Sequence, residues 1–211
     1  MAKVSPFSQP AESAVPAGAA ASAASVASVA SVASATAVLA APEMAAFRAA
    51  MGRFPTGVTL LTQGSGDGTS VITLNSLTSV SLDPLLILVS IKADGRMRPR
   101  VADAGSFAVN VLGCHQQDLA QEFCRPDRPA GLAAMRRLGA VEGITGNAVL
   151  PLAEASFECV LDAQHEAGDH TLLIGRVVAL ATTETGSDPL VFHQGRFTRL
   201  PAGAAATEAA A

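Results

Sequence analysis

Seven short runs of β-forming residues, separated by Gly, Asp and Pro turns, restrict this chain to one class of folds. The runs are GVTLLT, SVITLNSL, LLILVSI, SFAVNVL, ASFECVLDAQ, HTLLIGRVVAL and PLVFHQGRFTRL, and turns such as GSGDG and LDP lie between them. Little helical sequence intervenes. HQQDLAQEF predicts a short helix with Leu119 and Phe123 on one face, and GLAAMRRL predicts another with Leu132 and Met135 inward. A third helix is expected across PEMAAFRAAMGRF, where Met44, Phe47, Met51 and Phe54 are spaced by three, four and three. That apolar face is expected to pack in the core, with Pro42 in the first turn. Many short strands with few helices predict a mainly β architecture, an antiparallel barrel with peripheral helices. No GxGxxG follows a strand, which argues against a doubly wound dinucleotide-binding sheet.

The ends of the chain differ from this middle. Residues 1–41 contain VASVASVASATAVLAA, an uncharged Ala/Ser/Val repeat, and PAGAAATEAAA closes the sequence. Alanine and serine supply too little transfer free energy for a membrane span, and a basic start of Lys3 alone is weak for a signal peptide. The repeat therefore reads as a disordered tail, 202–211 as a second one, and about 42–201 as the folded unit. A net charge of -4 argues against general nucleic-acid binding. Three cysteines, Cys114, Cys124 and Cys159, form neither an even set nor a CxxC pair, so a reduced cytoplasmic setting and small buried roles for all three are expected. No metal site is expected.

The chemistry concentrates between Thr69 and Asn110. Eight of the thirteen residues from Thr69 to Ser81 carry a hydroxyl or carboxamide. On a strand, Thr73 and Asn75 share one side, with Ile72, Leu74 and Ser76 on the other. A turn at Asp83-Pro84 leads into the apolar LLILVSI, and a basic cluster of Lys92, Arg96, Arg98 and Arg100 follows at once. Lys92 is the sole lysine of the expected folded unit. Polar groups that satisfy a heterocycle, followed by cations that neutralise a phosphate, point to a nucleotide-like cofactor. GDHTLLIGRV adds His170, at the start of an apolar strand after a Gly168-Asp169 turn. With no GxSxG or HExxH, hydrolytic chemistry has no support.

FRAAMGRFPTGVTLLT, TLNSLTSVSLDPLLILVSI, SFAVNVL, ASFECVL, GDHTLLIGRV and PLVFHQGRF, in this order over about residues 45–200, resemble the flavin reductase family of short-chain NAD(P)H:flavin oxidoreductases. These are the reductase components of two-component flavin-dependent monooxygenases. The resemblance implies an FMN-binding split barrel with Greek-key topology over 42–201, assembled as a homodimer with the flavin near the dimer interface. It implies that Pro55, Thr56 and Gly57 approach the flavin, and that Thr73, Leu74, Asn75 and Ser76 bond the isoalloxazine and ribityl chain. Ser90, Lys92 and Arg96 are implied at the phosphate, with Phe107 and Asn110 close by. His170 is implied as the catalytic residue, on the nicotinamide side with Asp169. Gly95 and Met97 stand where the family often carries hydroxyls, so a loosely held flavin is expected.

The expected activity is hydride transfer from NADH or NADPH to FMN or FAD, with reduced flavin passed to a partner monooxygenase. Neither a nucleophile nor a metal is required for it. Two other readings share the same barrel: a flavin-binding protein without turnover, and a flavin enzyme that oxidises its own substrate.

Overall fold

The alternation of apolar and polar residues along the β-forming runs places their large side chains on the faces of one long sheet. The computed structural model describes residues 43–183 and 188–200, so the expectations for 1–41, Pro42 and 202–211 lie outside the described residues. The elements in order are α1 (Met44–Met51), β1 (Thr56–Gly57), β2 (Thr59–Gln63), β3 (Ser70–Leu74), β4 (Thr78–Leu82) and β5 (Leu85–Lys92). Then come α2 (Met97–Ala104), β6 (Ser106–Val111), α3 (Gln117–Phe123), α4 (Gly131–Leu138), β7 (Val141–Glu142) and β8 (Ala148–Val149). The chain continues through β9 (Ala155–Ala167), β10 (His170–Thr182), β11 (Val191–His193) and β12 (Arg196–Thr198).

Seven strands form one sheet in the order β3-β2-β6-β9-β10-β5-β4, and every neighbouring pair is antiparallel. The mainly β expectation therefore holds, and no parallel βαβ unit exists among these strands. The polar run does not form one continuous strand. It breaks at Asn75, so β3 pairs with β2 while β4 pairs with β5, at opposite ends of the strand order. The break returns to β5 through Ser76, whose Oγ accepts from Ser90 N at 3.0 Å and donates to Ser90 O at 3.1 Å.

Two apolar clusters fill the fold, and β2 separates them. Leu60 packs with Val71, Leu112, Phe123, Ala134 and Leu190. Its neighbour Leu61 packs with Val89, Met97, Val101, Phe107 and Leu173. Adjacent residues point to opposite faces of a strand, so β2 is buried on both sides. Leu119 and Phe123 of α3 are buried as the spacing predicts. In α4 the inward pair is Ala134 and Leu138, not Leu132, which is 45% exposed. The i, i+4 pair nearest the sheet wins over side-chain size.

Two sequence expectations are corrected. α1 forms, but Met44, Phe47, Met51 and Phe54 are 68, 59, 53 and 67% exposed, so no element among the described residues buries this face. Of the cysteines only Cys159 is buried; Cys124 is exposed and Cys114 half-buried, and all three are free thiols. Burial, then the charge of Glu158, pushes the Cys159 thiol up to about 12.

Candidate flavin and nicotinamide site

The break between β3 and β4 opens a cleft of about 600 Å³, within the range of small-molecule sites. One wall is the crossing segment Ile72, Thr73, Leu74, Asn75 and Ser76. The other is the end of β5, with Ser90, Ile91 and Lys92, joined by His170 at the start of β10. His170 and Lys92 are direct partners across the β10–β5 ladder, because the β9–β10 hairpin turns at Gly168 and Asp169 at that height. Gly168 has φ of 64°, the left-handed region where glycine carries no side-chain penalty. Ala93 N donates to Asp169 O at 3.0 Å and ties that turn to the end of β5.

Helix α2, with its N-cap, carries most of the basic cluster that follows β5. Its core face is only Met97 and Val101, both buried, so the helical period was too short to stand out. The helix distributes the cations. Arg96, at its N-cap, lines the cleft and donates to Pro126 O at 3.1 Å. Arg98 pairs with Glu166 at 3.2 Å on the outside. Arg100 turns to the opposite side, donating from Nε to Gln63 Oε1 at 3.1 Å and from NH2 to Gly68 O.

The structure thus brings together Thr73, Leu74, Asn75, Ser76, Ser90, Lys92, Arg96 and His170. It does not bring the others to the cleft lining. Pro55 precedes β1, where Thr56 and Gly57 pair with Phe192 and Val191 of β11. Phe107 is fully buried beneath the sheet. The Asn110 carboxamide is used up inside the fold: its Nδ2 donates to Leu60 O at 3.3 Å, and its Oδ1 accepts from Leu150 N at 2.9 Å. Asp169 stands at the rim, its Oδ1 2.8 Å from His170 Nδ1. That hydrogen bond, then the histidine's charge, holds the Asp169 carboxyl below the usual carboxylate range.

Sequence reading missed the segment after α3. Phe123, Cys124, Pro126 and Arg128 line the cleft, and Arg128 is anchored by Nε to Val71 O at 2.7 Å and by NH1 to Arg125 O at 2.9 Å. The density of Arg and Pro in FCRPDRP was the available signal. Thr73 is fixed by the same region, since its hydroxyl donates to Ala120 O at 2.8 Å.

The donor set fits a flavin. Hydroxyl, amide and backbone groups stand along one wall, and Lys92 and Arg96 add cationic groups able to pair with a phosphate. Residues 51–201 match the family described as flavin reductase like domain. The chain belongs to that family. The NADH-dependent FMN reductase AsuE2 of Streptomyces nodosus subsp. asukaensis is 46% identical over 159 residues, covering 75% of this chain and 86% of the relative. Among solved structures, BorF, the flavin reductase component of a bacterial two-component tryptophan halogenase, is 39% identical with a TM-score of 0.70, covering 75% of this chain and 99% of BorF. The styrene monooxygenase flavin reductase SMOB of Pseudomonas putida S12 is 34% identical with a TM-score of 0.64, covering 74% of this chain and 97% of SMOB. The seven-stranded antiparallel sheet is thus the split barrel of the flavin reductase family.

Proposed function

We infer that this chain is an NAD(P)H-dependent flavin reductase, that FMN or FAD is its flavin and NADH its favoured donor, and that it supplies reduced flavin to a partner monooxygenase. One observation carries the reading: a single cleft joins a hydroxyl- and amide-lined wall to a cationic end, with His170 paired to Lys92 at its mouth. Held between these walls, a flavin would supply the hydride acceptor and NAD(P)H the hydride.

The chain's own groups do the rest. Asn75, Ser76 and Thr73 line the wall that would hold the ring system and ribityl chain, and Ser76 is already oriented by its two bonds to Ser90. Fixed donors of this kind favour negative charge without reorganising as it develops. Lys92 and Arg96 would hold the phosphate. Asp169 keeps His170 oriented at the rim, on the side from which a nicotinamide would enter. Pro55, Thr56, Gly57, Phe107 and Asn110 would then act through the frame of the barrel, by pairing and packing rather than by lining the cleft.

The working unit is residues 42–201, a homodimer in the cytoplasm. The exposed apolar face of α1, with Val80, Leu82 and Leu85 at the β4–β5 hairpin, supports the dimer, because the described residues leave each of these side chains 45% exposed or more. No helix among the described residues is long and apolar enough to cross a membrane.

The test is to mix the purified protein with NADH and free FMN or FAD and follow the nicotinamide absorbance. Rapid flavin-dependent loss is expected. Flavin binding with no turnover of NADH or NADPH would leave a flavin-binding protein instead.

A further inference from the structure

A second cavity of about 160 Å³ lies against the main cleft, and Asp67, Ser70, Val71, Arg100 and Arg128 are among the residues that line it. Its size admits about five waters at ~30 Å³ each, so one tetrahedral oxyanion fits and a nucleotide does not. Two guanidiniums are fixed at its wall by backbone that lines it. Arg100 donates from NH2 to Gly68 O and from Nε to Gln63 Oε1 at 3.1 Å. Arg128 donates from Nε to Val71 O at 2.7 Å and from NH1 to Arg125 O at 2.9 Å. Arg96 lines both spaces, but its guanidinium reaches Pro126 O in the wall of the main cleft.

None of the ion pairs among the described residues involves any of these three arginines, and Asp67 is the one acid in the cavity wall. A guanidinium carries five N–H donors, so Arg100 and Arg128 each keep donors for a ligand, and Ser70 adds a hydroxyl. Burial, then the nearby charge of Arg96, lowers the Arg128 pKa, as crowded guanidiniums without a counterion would. A planar fork takes the oxygens of a tetrahedral anion two at a time. A phosphate group carries about two negative charges, which Arg100 and Arg128 together balance. Because Arg96 and Arg128 also line the main cleft, an anion here and a flavin phosphate there would draw on the same cations and repel each other.

We propose that the cavity between Arg100 and Arg128 binds a small inorganic oxyanion of the phosphate and sulfate class, and that its occupancy loosens the hold of the main cleft on a flavin phosphate. The site stands on Arg100 and Arg128 alone; the coupling rests on the reductase reading, which places a flavin phosphate at Lys92 and Arg96. In a chain that hands reduced flavin onward, the oxyanion level would then set how readily the flavin leaves.

The probes are inorganic phosphate and sulfate, with chloride at matched ionic strength as the control, on wild type, Arg100→Gln, Arg100→Lys and Lys92→Ala. Calorimetry on the flavin-free protein is expected to show phosphate binding that Arg100→Gln weakens about tenfold, that Arg100→Lys keeps in part and that Lys92→Ala keeps in full. In fluorescence titrations of wild type, phosphate or sulfate is expected to raise the FMN Kd about fivefold and then level off, the low end of coupling between two sites, while riboflavin moves by less than about twofold. A rise without a plateau, as direct displacement from Lys92 gives, overturns the proposal. So does phosphate binding that is unchanged in Arg100→Gln, or an equal effect from chloride. Phosphate binding that Arg100→Gln loses, in a chain that consumes no NADH or NADPH with either flavin, would overturn the reductase reading and leave the site standing.

Discussion

At the residue scale the cleft is governed by position on the ladder. Lys92 ends β5 opposite His170, so an ammonium and an imidazole stand at the same height on adjacent strands. Lys92→Ala is expected to weaken FMN and FAD about tenfold, in line with loss of one charge-assisted hydrogen bond, and to leave riboflavin nearly unchanged. An unaltered FMN/riboflavin affinity ratio in fluorescence titration removes Lys92 from the phosphate position. His170→Ala is expected to lower NADH turnover at least tenfold while changing flavin affinity less than threefold, a size typical of a lost positioning contact. Steady-state kinetics set beside flavin titration decide this, and equal losses in both would sink the role. Asp169 sets the pH limit of that arrangement. Its carboxyl is depressed in the folded chain, so its bond to His170 is fully present above the ordinary carboxylate range and is lost only as pH falls through the lowered value.

At the element scale, α2 and β10 show what alternation along a sequence conveys and what it hides. The apolar runs announced the strands because inward residues recur every second position, as with Ile87, Val89 and Ile91. The α2 helix was hidden because only Met97 and Val101 face inward, with arginines and a proline between. The break at Asn75 was equally illegible: hydroxyl residues fill both β3 and β4, so composition does not mark where one strand leaves its partner. Close packing was out of reach too. A methyl group on Gly175 would lie 2.5 Å from Phe107 Cζ and 2.9 Å from Cys159 Cβ, so β10 passes the core ring with no room for a side chain. Gly175→Ala is expected to cost about 1–3 kcal/mol of stability by overpacking. Denaturant unfolding checks it, and an unchanged midpoint would show that Phe107 moves aside freely.

At the scale of the whole molecule, the apolar period of α1 was legible but its burial was not, because a single chain does not say what lies beyond its own surface. Four large apolar side chains there are more than half exposed. Light scattering is expected to give twice the chain mass of 21.2 kDa. The double variant Phe47→Glu, Met51→Glu is expected to run as a monomer with much reduced flavin turnover. A monomeric wild type of full activity would remove the dimer from the mechanism.

Because a single stretch, residues 70–82, supplies both outermost strands of the sheet, the cleft is a seam rather than a hollow. Whatever binds there bridges two margins that are otherwise joined near Asn75 chiefly by the Ser76–Ser90 bonds. Occupancy then adds to the resistance of the fold itself, by an amount that grows with the logarithm of ligand concentration over Kd. The catalyst should be toughest when its substrate is plentiful and most easily unravelled, from the β3–β4 corner inward, when the flavin pool runs low.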